Sequence, residues 1–134
     1  MHLTIHTDGG ARGNPGPAAT GIVITDHTDT VVASYGEYLG EQTNNYAEYC
    51  ALISGLTKAQ ELGATEVSCF LDSKLVVEQL NRKWKVKEPS LQKLFITAWN
   101  ILQQFKTYKI AYIPREKNKA ADAEVNKVLD QKAG

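Results

Sequence analysis

Hydrophobic and polar positions alternate from the first residues onward. Leu3, Ile5 and Thr7 fall on one side of an extended segment, and Thr4, His6 and Asp8 on the other. This strand runs into Asp8 and then a glycine-rich turn, Gly9-Gly10-Ala11-Arg12-Gly13-Asn14-Pro15-Gly16. Thr20 to Thr25 reads as a second strand, Asp26-His27-Thr28-Asp29 as a turn, and Val31 to Tyr38 as the return strand of a hairpin. The period then changes. Between Thr43 and Leu62, Tyr49, Leu52, Ile53, Leu56 and Ala59 form one helical stripe, and Gly63 follows as a stop. Glu66 to Leu71 is apolar on both faces, as an interior parallel strand is. A second helix runs from near Ser73 through Leu80, and a basic connector from Asn81 to Pro89. A third helix from Ser90 aligns Leu91, Leu94, Phe95, Ala98, Leu102 and Phe105. Tyr108 to Ile113 is the last strand. Asn118 to Leu129 is the closing helix, with Ala121, Val125, Val128 and Leu129 turned inward.

The order is βββ-α-β-α-α-β-α, without repeat or linker. Strands that alternate with helices run parallel and lie beside the first strand. The expected class is α/β: a five-stranded mixed sheet, its three N-terminal strands antiparallel and its later strands parallel, with helices on both faces. Ligands of such sheets gather beyond the carboxyl ends of the parallel strands. Asp8 and Asp72 both sit at such ends.

Composition narrows the function. A chain of 134 residues is expected to form one domain, 1–134, with a core that needs no staples. Fifteen basic and fifteen acidic residues cancel, so a general polyanion coater is excluded and any nucleic-acid contact must be a local patch. Cys50 and Cys69 have no metal-ligand spacing and are expected to be buried free thiols. With no apolar leader and no membrane-length run, a cytoplasmic, membrane-independent protein is expected.

Four acids carry the candidate chemistry, and each has a local explanation. Asp8 could make a turn; Glu48 lies three residues after Asn45, as in a capping box; Asp72 could cap the second helix; Asp122 could pair with Lys119. Topology weighs against these. Asp8 and Asp72 end neighbouring strands, and Glu48 borders the inward stripe of its helix. Three converging carboxylates repel one another in a partly dry cleft unless a cation intervenes. An all-oxygen set favours Mg²⁺ or Mn²⁺ over zinc. Two such ions about 3.5–4 Å apart suit in-line phosphoryl displacement by water.

Four segments together resemble type 1 ribonuclease H: Thr7 to Gly16, Thr43-Asn44-Asn45-Tyr46-Ala47-Glu48, Leu71-Asp72-Ser73, and Pro114 to Asp122. The resemblance covers essentially the whole chain in order. It implies a metal-binding catalytic tetrad of Asp8, Glu48, Asp72 and Asp122, taking two ions with substrate bound. The implied activity is endonucleolytic hydrolysis of the RNA strand of RNA·DNA hybrids, leaving 5′-phosphate and 3′-hydroxyl ends. Gly9, Gly10, Ala11, Arg12, Asn14, Asn44 and Asn45 are implied as RNA-side contacts and Ser73 as a further substrate-binding residue, while Thr43 and the free N–H groups of its helix start could hold a DNA phosphate. Short amides suit the 2′-hydroxyls of a wide minor groove. The connector Arg82-Lys83-Trp84-Lys85-Val86-Lys87 interleaves basic residues with an aromatic, and Trp84 and Lys85 are expected to meet the DNA strand.

Three departures stand out. The connector is short, and the chain starts at its first strand, so a compact form without the separate hybrid-binding domain of many members is expected. Both predict modest affinity and steep salt dependence. Several members place a histidine in the loop before the last helix. His2, His6 and His27 all lie elsewhere, and Arg115 is expected to take that place by stabilising phosphate charge. His6 is expected to be a packed, hydrogen-bonded residue. A monomer without an obligate protein partner is expected. The alternatives are a non-catalytic hybrid-binding module and a transferase or junction nuclease of related fold. Four mutually repelling acids oppose the first, and the Asn14, Asn44 and Asn45 set opposes the second.

Overall fold

The computed structural model describes residues 1–133; Gly134, the last residue of the expected domain, lies outside the described residues. The elements are β1 (His2–Ala11), β2 (Gly16–Thr25), β3 (Val31–Gln42), α1 (Asn44–Glu61), β4 (Glu66–Leu71), α2 (Lys74–Leu80), α3 (Pro89–Leu102), β5 (Thr107–Tyr112), a 3₁₀ turn (Arg115–Lys117) and α4 (Lys119–Ala133). They form one sheet in the order β3-β2-β1-β4-β5. β1 is its pivot: it pairs antiparallel with β2 and parallel with β4, while β4 and β5 also run parallel. The α/β mixed sheet read from the pattern is therefore present.

Each face of the sheet buries a different cluster. On one, Leu3, Ile5, Ile22 and Ile24 meet Tyr49, Leu52 and Leu56 of α1, in a core that continues into α2 and α3. On the other, Ala19 packs with Val125 and Leu129 of α4. Alternation thus does two jobs. It buries the side of β1 bearing Leu3, Ile5 and Thr7 under α1, and sends Asp8 to the opposite side.

Several boundaries differ from expectation. β1 continues through Gly9, Gly10 and Ala11, which pair with Thr20, Ala19 and Ala18, so only Arg12 to Pro15 remains as turn. Small residues on both strands let the ladder persist where glycine propensity alone suggests a break. β3 likewise extends to Gln42 instead of ending at Tyr38. α3 ends at Leu102, and Phe105 reaches the core from outside the helix. There the amides of Gln104 and Phe105 donate to Ile101 and Leu102, tightening the last turn and carrying the ring inward. Cys69 is buried, but Cys50 is only half-buried, one residue off the inward stripe. Its thiol is pushed up to about 11 by burial and by the charge of Glu37. No helix among the described residues is long and apolar enough to cross a membrane.

Candidate active site

The parallel pairing of β1 with β4 ends at Thr7 and Leu71, so the next residues, Asp8 and Asp72, emerge side by side. α1 supplies the third acid. Its cap is Thr43, whose hydroxyl accepts from the amide of Tyr46 at 3.2 Å. Glu48 is consequently not part of a capping box. Its Oε1 accepts the Gly9 amide at 2.5 Å, across the gap between helix and strand. One carboxylate oxygen from each of Asp8, Glu48 and Asp72 lies within 4.8 Å of the others. The other local explanations fail as well. Asp8 is inside a strand, Ser73 caps α2 in place of Asp72, and Asp122 is 3.8 Å from Arg115 Nη2.

The electrostatics follow from this crowding. Asp8 is 7% exposed and Glu48 is 6% exposed. Burial first, and then the charges of Asp72 and Asp122, raise the Asp8 carboxyl to about 7, although its hydrogen bond with Glu48 works the other way. Burial and the charge of Asp8 hold the Glu48 carboxyl well above its ordinary range. Glu48 Oε2 is buried and has no hydrogen-bond partner. An orphaned carboxylate oxygen beside two other acids is the arrangement that a hard divalent cation relieves.

Asp122 lines the same cleft of about 520 Å³ but stands outside the three-acid group. It accepts from Asn126 Nδ2 at 3.3 Å. Arg115, in the 3₁₀ turn, sits at the rim with its side chain 81% exposed. Gly9, Gly10, Ala11, Arg12, Asn44, Asn45 and Ser73 also line this cleft. Asn44 Oδ1 accepts the Ala11 amide at 2.8 Å, and Asn14 Oδ1 accepts the Asn44 amide at 3.0 Å. Both amide oxygens are thus spent on holding the turn to α1, which leaves their NH₂ groups for a ligand. Thr43 and Asn14 do not line the cleft themselves: Asn14 reaches it through Asn44, and Thr43 caps the helix beside it. Arg12 pairs with Asp130 at 2.6 Å.

Trp84 and Lys85 lie apart, lining a second cavity with Lys83 and Lys87. Asn45 borders both spaces and joins them. Arg82 turns away from this group, its guanidinium 5.4 Å from the centre of the Trp99 ring. His6 packs against Phe70, ring centres 5.3 Å apart, and burial lowers its pKa.

Sequence patterns gave no role to Asn118. It is 1% exposed, its Nδ2 donates to the Thr7 carbonyl at 2.8 Å, and its own carbonyl accepts the Asp122 amide at 3.1 Å. One residue thereby sets the spacing between the strand bearing Asp8 and the helix bearing Asp122. Its place before a helix signals only a cap. Asn118→Ala is expected to cost about 1–3 kcal/mol in urea unfolding. Asn118→Asp, which sets an oxygen against the Thr7 carbonyl, should cost more than alanine.

Comparison with known proteins agrees with this geometry. A family model described as reverse transcriptase-like matches residues 6–128. The bifunctional protein Rv2228c of Mycobacterium tuberculosis is 47% identical over 135 residues, which is 99% of this chain and 37% of that protein. Ribonuclease HI of Halobacterium salinarum is 41% identical over 123 residues, 92% of this chain and 62% of that protein. This chain therefore spans less than two thirds of either curated relative. The crystal structure of RNase H1 from the same archaeon has a TM-score of 0.95 at 38% identity, covering 98% of this chain and 99% of that one. LC11-RNase H1, solved in complex with an RNA/DNA hybrid, has a TM-score of 0.93 at 42% identity, covering 98% and 99%. These matches cover 98–99% of this chain, so they span the whole sheet and all four acid-bearing segments. This chain belongs to the type 1 ribonuclease H family.

Proposed function

We propose that this chain is an endoribonuclease that hydrolyses the RNA strand of RNA·DNA hybrids, leaving 5′-phosphate and 3′-hydroxyl ends, with two divalent ions engaged once substrate is bound. One observation carries the proposal: Asp8, Glu48 and Asp72 bring three carboxylate oxygens within 4.8 Å of one another in an open cleft. The all-oxygen donor set, the orphaned Glu48 Oε2 and the raised Asp8 carboxyl all suit Mg²⁺ or Mn²⁺. Bound there, such ions supply an acidified water and stabilise charge on the phosphate.

The remaining work falls to side chains. The Gly9 amide holds Glu48 Oε1, so Oε2 is the atom left to ligate. Asp122, facing Asp8 from α4, completes the proposed tetrad. Arg115 cannot shuttle protons, because its pKa is too high, but its exposed guanidinium can offset charge on the reacting phosphate. The NH₂ groups of Asn14 and Asn44 suit RNA 2′-hydroxyls. The short reach of Gly9 to Ala11 lets an RNA backbone approach. Trp84 and Lys85 would take the DNA strand, and LC11-RNase H1 in its hybrid complex is a relative that binds such a duplex. The proposal takes residues 1–134 as one catalytic domain, acting as a cytoplasmic monomer without an obligate protein partner. Size-exclusion chromatography tests the monomer.

The central test is cleavage of end-labelled RNA·DNA hybrid, duplex RNA and duplex DNA, with Mg²⁺, with Mn²⁺ and with chelator. Metal-dependent cleavage of the hybrid's RNA strand is expected; its absence with both metals sinks the proposal. Arg115→Ala should lower kcat about 10–100-fold with little change in KM, the signature of an interaction stronger in the transition state. A loss confined to KM would make Arg115 a binding residue instead.

A further inference from the structure

The basic connector between α2 and α3 has no regular structure over residues 81–88, yet it is held at successive points. The amides of Lys83 and Trp84 both donate to the Glu78 carbonyl, at 2.9 and 3.2 Å. Farther along, two glutamines grip consecutive carbonyls. Gln79 Nε2, from α2, donates to Lys85 at 3.2 Å, and Gln92 Nε2, from α3, donates to Val86 at 2.9 Å.

Gln79 is the unusual member. It is 3% exposed, and its Oε1 accepts the hydroxyl of Tyr49 at 2.5 Å. Tyr49 is fully buried on α1 and directly follows Glu48. A buried amide costs stability unless both its ends are satisfied, and an apolar residue of similar size would fill this core position without that cost. What the amide adds is a defined link. A hydrogen-bonded path runs from the residue beside Glu48, through Gln79, to the backbone of Lys85. The cavity of about 530 Å³ at the other end is lined by Asn45, Lys83, Trp84, Lys85 and Lys87, and it meets the acid cleft at Asn45.

We propose that Gln79, supported by Tyr49 and Gln92, is a positioning residue that holds the basic connector in fixed register with the acid cleft, so that the DNA strand of a hybrid meets a preorganised contact. This rests on the hybrid-cleavage proposal for the substrate, but not for the geometry. A connector ordered before binding adds no ordering cost when the substrate arrives. A short connector can then serve where a longer one would bring more charge. Gln79, 3% exposed, acts through Lys85.

The test measures hybrid cleavage across a NaCl series for the wild type, Gln79→Glu, Gln92→Ala, Lys85→Ala and the Gln79→Glu/Lys85→Ala double variant. Gln79→Glu keeps an acceptor for Tyr49 but sets an oxygen against the Lys85 carbonyl. Its KM should rise about 5–10-fold with kcat changed less than about twofold. Lys85→Ala should raise KM and reduce the salt slope by about one. In the double variant, Lys85→Ala should add almost nothing, because a misplaced lysine has no contact left to lose. Additive effects, or an unchanged KM in folded Gln79→Glu, overturn the proposal. Should Gln79→Glu not fold, exposed Gln92→Ala decides: KM about two- to threefold higher and non-additive with Lys85→Ala supports positioning, and an unchanged KM refutes it. Amide exchange needs no substrate and separates this proposal from the functional one. The Lys83 and Trp84 amides, which donate to the Glu78 carbonyl, should exchange about tenfold faster in Gln79→Glu or Gln92→Ala while β1 stays protected, and unchanged exchange overturns the positioning role even if the wild type cleaves no hybrid.

Discussion

Asp8→Asn is expected to abolish cleavage and, at the same time, to raise the melting temperature of the metal-free protein. The two effects share one cause. Asp8 is held beside Glu48 and Asp72 under enough burial to raise its carboxyl from 3.8 to about 7. Ionising it in the folded chain therefore costs on the order of a few kcal/mol relative to the unfolded chain. Asparagine removes that charge at nearly constant shape. In chelator at pH 8, the melting temperature should rise by about 5 °C or more. Removing one acid from the proposed metal site should lower kcat by at least about 10³-fold. An active variant, or one that melts lower than the wild type in chelator, would refute the assignment.

The same shift fixes a sign for pH. Between the unfolded value of 3.8 and the folded value of about 7, the native chain holds a proton that the unfolded chain has lost. Stability contributed by Asp8 is therefore intact below about pH 4 and declines as pH rises toward 7. Glu48, raised for the same reasons, acts in the same direction. Saturating Mg²⁺ or Mn²⁺ should reverse the decline, because an ion bound only by the folded state stabilises it by mass action. In Asp8→Asn, both the decline and the rescue by metal should shrink.

Much of this site is legible in the amino-acid sequence, and the features that are not share a common character. Period-two and helical patterning located all five strands and the stripe of Tyr49, Leu52, Leu56 and Ala59, because burial of apolar faces dominates the energy of each element. The convergence of Asp8 and Asp72 followed from topology. Local polar contests could not be settled that way. Ser73 and Asp72 are adjacent candidates for the same helix cap, and only the geometry gives the role to Ser73 and leaves Asp72 to the cleft. Gln79 and Asn118 receive no role from the sequence, since nothing in a periodic pattern marks a buried amide whose partners lie on distant segments. Arg82 was counted with the connector's basic patch, but a backbone at φ +64° accompanies its turn toward Trp99. These choices depend on side-chain partners far apart in sequence, and periodicity carries no record of them.

The glycine pair after Asp8 provides the sharpest separation between two positions that look equivalent in sequence. Gly9→Ala should be severely damaging, and Gly10→Ala nearly neutral. A Cβ on Gly9 would overlap the carbonyl of Ala47 and the backbone nitrogen of Glu48, main-chain atoms of α1 that cannot rotate aside. A Cβ on Gly10 would meet only Val125 Cγ1, at an ordinary 3.5 Å. Gly9 is therefore a packing requirement: it lets α1 approach closely enough for Glu48 to accept the Gly9 amide and join Asp8 and Asp72. Pushing α1 outward should cost on the order of 3 kcal/mol, within the range of overpacked cores. That corresponds to a loss of about 10 °C in melting temperature for a domain of this size. Activity should fall about 10²-fold in whatever fraction stays folded, because Glu48 moves with the helix. Thermal melts of both variants, with cleavage assayed well below each midpoint, decide the matter. Equal behaviour of Gly9→Ala and Gly10→Ala would show that the helix is free to yield, and that Gly9 serves only the approach of the RNA backbone.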